Sequence, residues 1–334
     1  MKVAVIGAGA IGSLVAGYLR NKEVEVGLVG RADAVKAIQA QGLKISGVRG
    51  NFTVPLKISQ RLTLPAELTI LATKTQDIEA AIKDNLQFLL NSVILTTQNG
   101  IQADNLVAKH LPREKIISSI VMFGATCLKP GEVVHNFEGS WIIGKTSAQN
   151  DSSVENTGAV LQKIFPVVTS EELLGMKYLK IFVNANNCLP AILGKSMQEA
   201  FSDPAVSSIS IEIWKEGLEI VQKSKIKLVS LPDFPVERLT KLTALPTEEA
   251  AKIYSGIMMN LSKEPLYGSV LQSIKRGRPS EIDYLNGEFV RLARENSLEA
   301  ALNEKLVELV HRVEKSGCFL SREELLAETK GLYN

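Results

Sequence analysis

KVAVIGAGAIGSLVAGYLR, Lys2–Arg20, is the stretch from which the fold can be read. Lys2–Ile6 is a short β-type apolar run that leads straight into Gly7-Ala8-Gly9-Ala10-Ile11-Gly12, and a helical pattern follows to Arg20. Val24–Val29 then reads as a second strand. A strand, a GxGxxG turn, a helix and a strand within about thirty residues make a dinucleotide-binding unit. Gly7 permits the tight turn, Gly9 lets the backbone approach a pyrophosphate, and Gly12 lets the helix pack close to the strand. The helix N-terminus offers free N–H groups and a positive dipole end to the phosphates. The end of the second strand selects the cofactor. An acid there would bind the ribose hydroxyls of NAD(H), but this chain has Gly30-Arg31, and a planar guanidinium suits the 2′-phosphate of NADP(H). Asp33 lies past the strand end and fits the first turn of the next helix.

Outward from this unit, a helix is expected near Asp33–Gln41, then two short strands, Leu43–Ser46 and Asn51–Pro55. Leu68–Thr73 and Ser92–Thr97 are buried-strand patterns that end in Lys74-Thr75-Gln76 and Gln98-Asn99-Gly100. Ligands of open α/β sheets sit beyond the carboxyl ends of strands, which makes Lys74 and Asn99 candidate ligand contacts. The plainer alternatives are a solvated lysine and a turn asparagine. Ile116–Thr126, Gly131–Phe137 and Ser140–Ile143 read as three strands that give the parallel sheet an antiparallel edge. A helix over Asp151–Lys163 and a strand over Pro166–Thr169 complete a first domain, 1–170.

From Glu171 onward the chain reads as helical, giving an all-α second domain, 171–334, with a cleft expected between the two. Glu171–Leu193 reads as one helix. Within it Lys180, Asn184 and Asn187 or Cys188 recur at i, i+4 and i+7 or i+8 and form a polar stripe in an apolar run. Buried amides and ammonium groups need partners, so the stripe is a candidate pocket wall. A second helix is expected over Ala205–Lys225, a break at Pro232–Pro235, and a helix after Pro246 with Thr247-Glu248-Glu249 as N-cap and acidic first turn. A loop from Lys263 leads to Ser269–Ile274. The stretch Lys275–Glu281 then opens a helix whose apolar face is Ile282, Leu285, Phe289, Leu292 and Ala293. Ser321-x-x-Glu324 is a capping box.

Composition excludes several classes. The chain has 334 residues with a formal net charge of +2 and 5% aromatics, which argues against a nucleic-acid surface. No run of about 18 apolar residues suggests a membrane span. Three scattered cysteines without a CxxC, and three scattered histidines, argue against zinc and against a disulfide framework, and fit a cytoplasmic protein.

These motifs together resemble the ketopantoate reductase (2-dehydropantoate 2-reductase) family along essentially the whole chain. The resemblance rests on GAGAIG at Gly7–Gly12, Arg31, Lys74, Gln98-Asn99-Gly100, the K-x-x-x-N of Lys180 and Asn184, and the S-x-L-Q…R-x-x-E-I-D-x-x-N-G block from Ser269 to Gly287. It implies NADPH-dependent reduction of 2-dehydropantoate (ketopantoate) to (R)-pantoate, a step of pantothenate and coenzyme A biosynthesis, with Lys180 as catalytic general acid and Asn184, Ser269 and Glu281 on the substrate. Asn99 would bridge cofactor and substrate, Arg31 and Lys74 would hold the NADPH phosphates, and Glu281 would also border the cofactor. The resemblance fits a monomer or a homodimer. This chain departs from the family at Cys188, where a second helix asparagine would fall beside Asn187. It also departs at Ser273 (often aspartate), at Ala301 (often proline) and after Lys74, where Gln76 or Asp77 would be the further acceptor. Two other readings stay open: a reductase of this fold for another 2-keto acid, and a non-catalytic NADP(H) sensor. Residue by residue, Lys180 could snorkel to solvent, Glu281 could be a first-turn acid and Cys188 a packed thiol.

Overall fold

The computed structural model describes residues 1–262 and 264–333. Lys263, where the loop ahead of Ser269 is expected to begin, and Asn334, the end of the expected second domain, lie outside the described residues. The chain forms two compact units, Met1–Leu174 and Gly175–Asn334.

In the first unit the strands are β1 (Val3–Ile6), β2 (Val26–Val29), β3 (Leu43–Gly47), β4 (Phe52–Val54), β5 (Lys57–Ser59) and β6 (Leu68–Leu71). They continue as β7 (Val93–Thr96), β8 (Ile116–Val121), β9 (Gly124–Lys129), β10 (Glu132–Phe137), β11 (Trp141–Gly144) and β12 (Val167–Thr169). The helices are α1 (Ala10–Asn21), α2 (Ala32–Gln41), α3 (Ile78–Leu89), α4 (Ala103–Ala108) and α5 (Ser152–Leu161). Among the described residues eight strands form one sheet, β12-β11-β8-β7-β6-β1-β2-β5, and four form another, β4-β3-β10-β9. The run from β5 to β8 is parallel. Its order reverses between β1 and β6, which is the doubly wound dinucleotide-binding topology.

Period-two alternation in β1 explains why helices cover both faces of this sheet. Val3 and Val5 belong to one apolar cluster with Leu14, Val15 and Leu19 of α1. Ala4 and Ile6 belong to another with Ile78, Ile82 and Leu89 of α3 and Val107 of α4. Each such aliphatic side chain, removed from water, contributes about 1.5–3 kcal/mol.

The expected long strand Ile116–Thr126 is two. After Val121 the chain leaves the large sheet, and Gly124 begins the small one. Phe123, at the crossing, stacks on Phe165 with ring centroids 3.7 Å apart, and that burial turns the backbone out of register. The antiparallel edge of the large sheet is β11, paired antiparallel to β8, with β12 outside it and parallel to β11. The two strands β9 and β10 pair with each other, and β10 pairs with β3, instead of extending the edge of the large sheet.

The second unit is helical. It contains all but the first two residues of α6 (Leu173–Ala185), then α7 (Cys188–Leu193), α8 (Met197–Phe201), α9 (Pro204–Lys223) and α10 (Val236–Ala244). It ends with α11 (Thr247–Met259), α12 (Ser269–Lys275), α13 (Asn286–Glu295), α14 (Ala301–Ser316) and α15 (Arg322–Thr329). The axial element is α9, started by Pro204 at its first turn and by the Asp203 carboxylate accepting from the Ala205 and Val206 amides. Around it Trp214 Nε1 donates to the Phe182 carbonyl at 2.8 Å, and Phe182 packs on Phe289 with centroids 4.9 Å apart.

Three local expectations are corrected. Glu171–Leu193 is not one helix but α6 and α7, broken at Asn186-Asn187. Pro190 is the cause: it has no N–H, and its ring collides with the carbonyl four residues back, that of Asn186. The polar stripe therefore does not continue on one helical face beyond Asn184. Thr247 is the first helical residue and not the N-cap, and its hydroxyl is committed to the Glu212 carboxylate. The helix expected to open at Glu281 begins only at Asn286, after a 3-10 turn over Ile282–Tyr284. The Ser321–Glu324 capping box forms as expected.

Candidate active site

In the first unit the candidate cofactor residues are carried by the carboxyl ends of four adjacent strands. Gly7 follows β1 with φ +118°, and a Cβ on it would lie 2.6 Å from the Ala72 carbonyl carbon. Only glycine meets both conditions, so the turn is pressed against the end of β6. At Gly12 a Cβ would come within 1.9 Å of the Gly7 oxygen, and this lets α1 start immediately beneath the turn. Gly9 differs, for nothing lies within 4 Å of its would-be Cβ. It is the N-cap of α1, without a side-chain cap and without an acid in the first turn. The turn from Ala8 through Ala10 and Ile11 thus presents open space beside helix N–H groups that have no intrahelical acceptor. That is the shape and polarity a pyrophosphate fits.

Arg31 follows β2 as the N-cap residue of α2 and is exposed, its guanidinium 3.4 Å from Asp77 Oδ2. Asp33 sits in the first turn of α2, with its carboxylate on the Ala34 amide. Lys74 follows β6 at the start of a 3-10 turn, Thr75–Asp77, so the strand end that carries Lys74 also carries the carboxylate on Arg31. Asn99 follows β7 and is half-buried. Its loop is tied to the loop after β6 by Gln98, whose Nε2 donates to the Leu71 and Thr73 carbonyls at 2.9 and 3.0 Å. Sequence reasoning assigned Gln98 no task, because nothing in a single chain says which carbonyls an amide will find.

In the second unit Lys180 and Asn184 lie one turn apart on α6, both half-buried. Burial draws the Lys180 ammonium down from 10.5 to about 8, opposed by the negative charge of Asp233. Lys177 is buried more completely than Lys180, at 3% exposure. Asn187 holds the N-cap position of α7. Its amide lies against Gly268, where a Cβ would be 3.1 Å from Asn187 Cγ, so Asn187 and the start of α12 at Ser269 are brought together. The loop ahead of Ser269 is anchored by Gln198, whose side chain bonds the Leu266 amide and the Ser262 and Glu264 carbonyls.

Cys188 differs from the expectation that groups it with the stripe. It has no exposed surface, burial pushes its thiol up to about 12, and it meets the Asn286 side chain. Asn286 in turn donates to Asn303, which with Leu302 is held by Glu216. Glu216 accepts from two backbone amides in the first turn of α14, at whose first position Ala301 stands. Ser273 donates to the Ser269 carbonyl, a bond within α12. Glu281 is buried at 6% exposure and lies ahead of the 3-10 turn, so a first-turn dipole role in α13 does not account for it. Its neighbour Ser280 is pinned by Glu314, which accepts from the Ser280 amide at 2.7 Å.

Among the described residues no three His, Cys, Asp or Glu side chains are grouped to hold a metal ion, and no helix is long and apolar enough to cross a membrane.

A family model described as ketopantoate reductase PanE/ApbA matches residues 3–148, and its C-terminal companion matches residues 172–314. The 2-dehydropantoate 2-reductase of Pyrococcus horikoshii is 31% identical over 324 residues, covering 95% of this chain and 99% of that one. A solved PanE/ApbA family ketopantoate reductase from Ralstonia eutropha superimposes with a TM-score of 0.79 at 24% identity, over 94% of this chain and 99% of that chain. D-mandelate dehydrogenase, solved with NADH and anilino(oxo)acetate, gives a TM-score of 0.80 at 25% identity, over 95% and 99% of the two chains.

Proposed function

The chain belongs to the ketopantoate reductase family, and from that premise we propose that it reduces 2-dehydropantoate to (R)-pantoate with NADPH, with Lys180 as the general acid. The observation that carries the reading is Lys180 itself. It is an ammonium drawn down to about 8 on a helix whose next turn offers the Asn184 amide. When bound, the reduced nicotinamide dinucleotide supplies a hydride to the C2 carbon of the substrate ketone. The bond that opens is the carbonyl π bond, and its electron pair moves onto oxygen. Lys180 Nζ stabilises that oxygen as charge develops and passes it a proton, then regains one from solvent. A lysine near 8 is still charged at neutral pH, yet it gives up its proton far more readily than one near 10.5.

The surrounding groups place the substrate. Asn184 and Ser269 would hold its carboxylate and hydroxyl ends, Asn187 would border Ser269, and Glu281 would accept from the terminal hydroxyl. On the first unit, the Gly7–Gly12 turn would take the pyrophosphate, Arg31 and Lys74 the phosphates, and Asn99 the nicotinamide ribose. Three cysteines scattered without a CxxC spacing support a cytoplasmic placement.

A second reading is favoured by the Asp77 carboxylate, which reaches over from the loop after β6 to occupy the Arg31 guanidinium and brings an acid beside the end of β2. In it the chain is a reductase of the same fold that takes NADH or another 2-keto acid. Steady-state rates with NADPH and NADH, each against ketopantoate, pyruvate and a branched analogue, separate the two. A preference for ketopantoate below about tenfold in kcat/KM, about 1.4 kcal/mol, counts against it as the physiological substrate. Binding of NADPH with no 2-keto-acid-dependent oxidation would refute both.

A further inference from the structure

The turn that carries Glu281 is gripped from α14 on both sides of that residue. Upstream, Glu314 Oε1 accepts from the Ser280 amide at 2.7 Å. Downstream, His311 Nε2 lies 2.9 Å from Asp283 Oδ1. The grip closes on α14 itself, where His311 Nδ1 lies 3.0 Å from Glu314 Oε2. His311 and Glu314 are three residues apart and share one face of the helix. The turn they hold is bonded within itself. The Ser280 hydroxyl accepts from the Ile282 amide at 3.3 Å, and the Glu281 carbonyl accepts from the Tyr284 amide at 2.9 Å. Ser280 and Glu281 are buried, while the His311 and Asp283 side chains stand half-exposed.

Counting donors fixes the protonation state that this arrangement needs. A carboxylate accepts and cannot donate, so each ring nitrogen of His311 must carry a proton to make its bond. A neutral imidazole has only one. The chain Ser280–Glu314–His311–Asp283 is therefore complete only around an imidazolium, and losing a proton leaves a lone pair facing a carboxylate oxygen. The charged groups of the elements packed on α14 are engaged elsewhere. On α13, Glu288 and Glu295 hold Arg291, and Arg294 is held by Glu304. On α15, Glu328 is bonded to Arg312 and Lys305. From α9, Glu216 holds the first turn of α14, and α7 brings the Cys188 thiol. On α14 itself Glu308 is bonded to Lys305, and Lys315 is exposed. Burial pulls the His311 pKa down, but Asp283 and Glu314 outweigh it and hold it above 6.5.

We propose that His311 is a positioning residue for Glu281: as an imidazolium it clamps the turn on both sides of that carboxylate, and as a neutral imidazole it lets one side go. The proposal rests on the reading of Glu281 as a substrate contact. A carboxylate that must receive one hydroxyl of the substrate works only as well as its backbone is held. With His311 charged, positions 280 and 283 are both tied to α14, and Glu281 between them is fixed. With His311 neutral, a single donor remains for two carboxylates, and Asp283 and Glu314 face each other without their shared cation. The clamp is complete below pH 6.5 and is lost as pH rises through the raised His311 pKa, so substrate affinity falls across that window.

The test uses the full chain as wild type, His311→Arg, His311→Gln and Asp283→Asn, with Lys315→Gln on the same helix as control. Two readouts are taken from about pH 6 to 9. The first is the ring-proton NMR resonance of His311, assigned by its absence in His311→Gln from a chain with three histidines. Its midpoint lies above 6.5 in the wild type and falls in Asp283→Asn. The second is KM for ketopantoate at saturating NADPH, divided by that of His311→Arg at the same pH so that titration of Lys180 cancels. A guanidinium offers both carboxylates a donor at every pH. The wild-type ratio starts near one and rises roughly threefold through the His311 midpoint, the scale of one exposed charge pair, while the kcat ratio stays level. His311→Gln shows the raised KM throughout, and Lys315→Gln follows the wild type. A KM ratio that stays flat with pH, or that rises equally in His311→Gln, overturns the proposal. So does a His311 midpoint that Asp283→Asn leaves in place. Absence of NADPH oxidation with every 2-keto acid overturns the proposed function instead, and the His311 resonance then decides the clamp by itself.

Discussion

Replacing Lys180 by methionine should make the protein more stable while disabling it. The side chain is nearly isosteric over its apolar stem, so the change chiefly removes a charge the fold holds at a cost. An ammonium ordinarily near 10.5 sits at about 8. At about 1.4 kcal/mol per tenfold change, holding it charged costs up to about 3 kcal/mol at neutral pH. Screening by solvent around a half-buried group brings the expected gain to about 1–3 kcal/mol. The sign follows from linkage. Between about 8 and 10.5 the unfolded chain binds the proton that the folded chain has released, so wild-type stability rises with pH across that window. The advantage of Lys180→Met is therefore complete below pH 8 and gone near pH 10.5. Urea unfolding followed by Trp214 fluorescence, in a Trp141→Phe background so that the second unit alone reports, measures it at both ends. A variant no more stable than its parent at pH 7, or one whose advantage persists at high pH, would refute the reasoning.

The remaining expectations concern the cofactor end and the fold. Arg31→Ala should weaken NADPH binding by about tenfold or more and NADH binding much less, as titration of nucleotide fluorescence would read; equal losses would undo the 2′-phosphate assignment. Asp77→Asn releases the guanidinium from its 3.4 Å partner and should raise the NADPH preference severalfold, and an unchanged ratio would remove Asp77 from cofactor choice. His135 is fully buried, bonded through Nδ1 to the Tyr18 hydroxyl at 2.8 Å, with burial holding its pKa below 6.5. Stability should then fall as pH drops below 6.5, where the unfolded chain gains a proton that the folded chain refuses. His135→Gln should flatten that limb in thermal melts from pH 8 to 5, and an unaltered slope would exclude the group.

The dinucleotide-binding half was legible because its physics is local. Gly7, Gly9 and Gly12 sit at fixed spacing, and the strands that carry Arg31, Lys74 and Asn99 end in polar residues after apolar runs. The division of 116–129 between two sheets was not legible, because it depends on the stacking of Phe123 on Phe165, forty-two residues away in the chain. The break after α6 has a local cause that the helical periodicity masks. Pro190 stands inside the apolar run KYLKIFVNANNCLPAIL, whose periodicity concealed it. Glu281 and Ser269 could be singled out only by resemblance, since a buried glutamate and a loop serine carry no periodic signal.

The central claim is that Lys180 delivers the proton in ketopantoate reduction by NADPH. The most direct measurement is NADPH oxidation with ketopantoate by the wild-type protein and by Lys180→Ala, with NADPH affinity taken in parallel. The account predicts ketopantoate-dependent oxidation in the wild type and a loss of kcat by two or more orders of magnitude in the variant, roughly 3 kcal/mol or more, at nearly unchanged NADPH affinity. Turnover that survives the loss of Lys180 would contradict it.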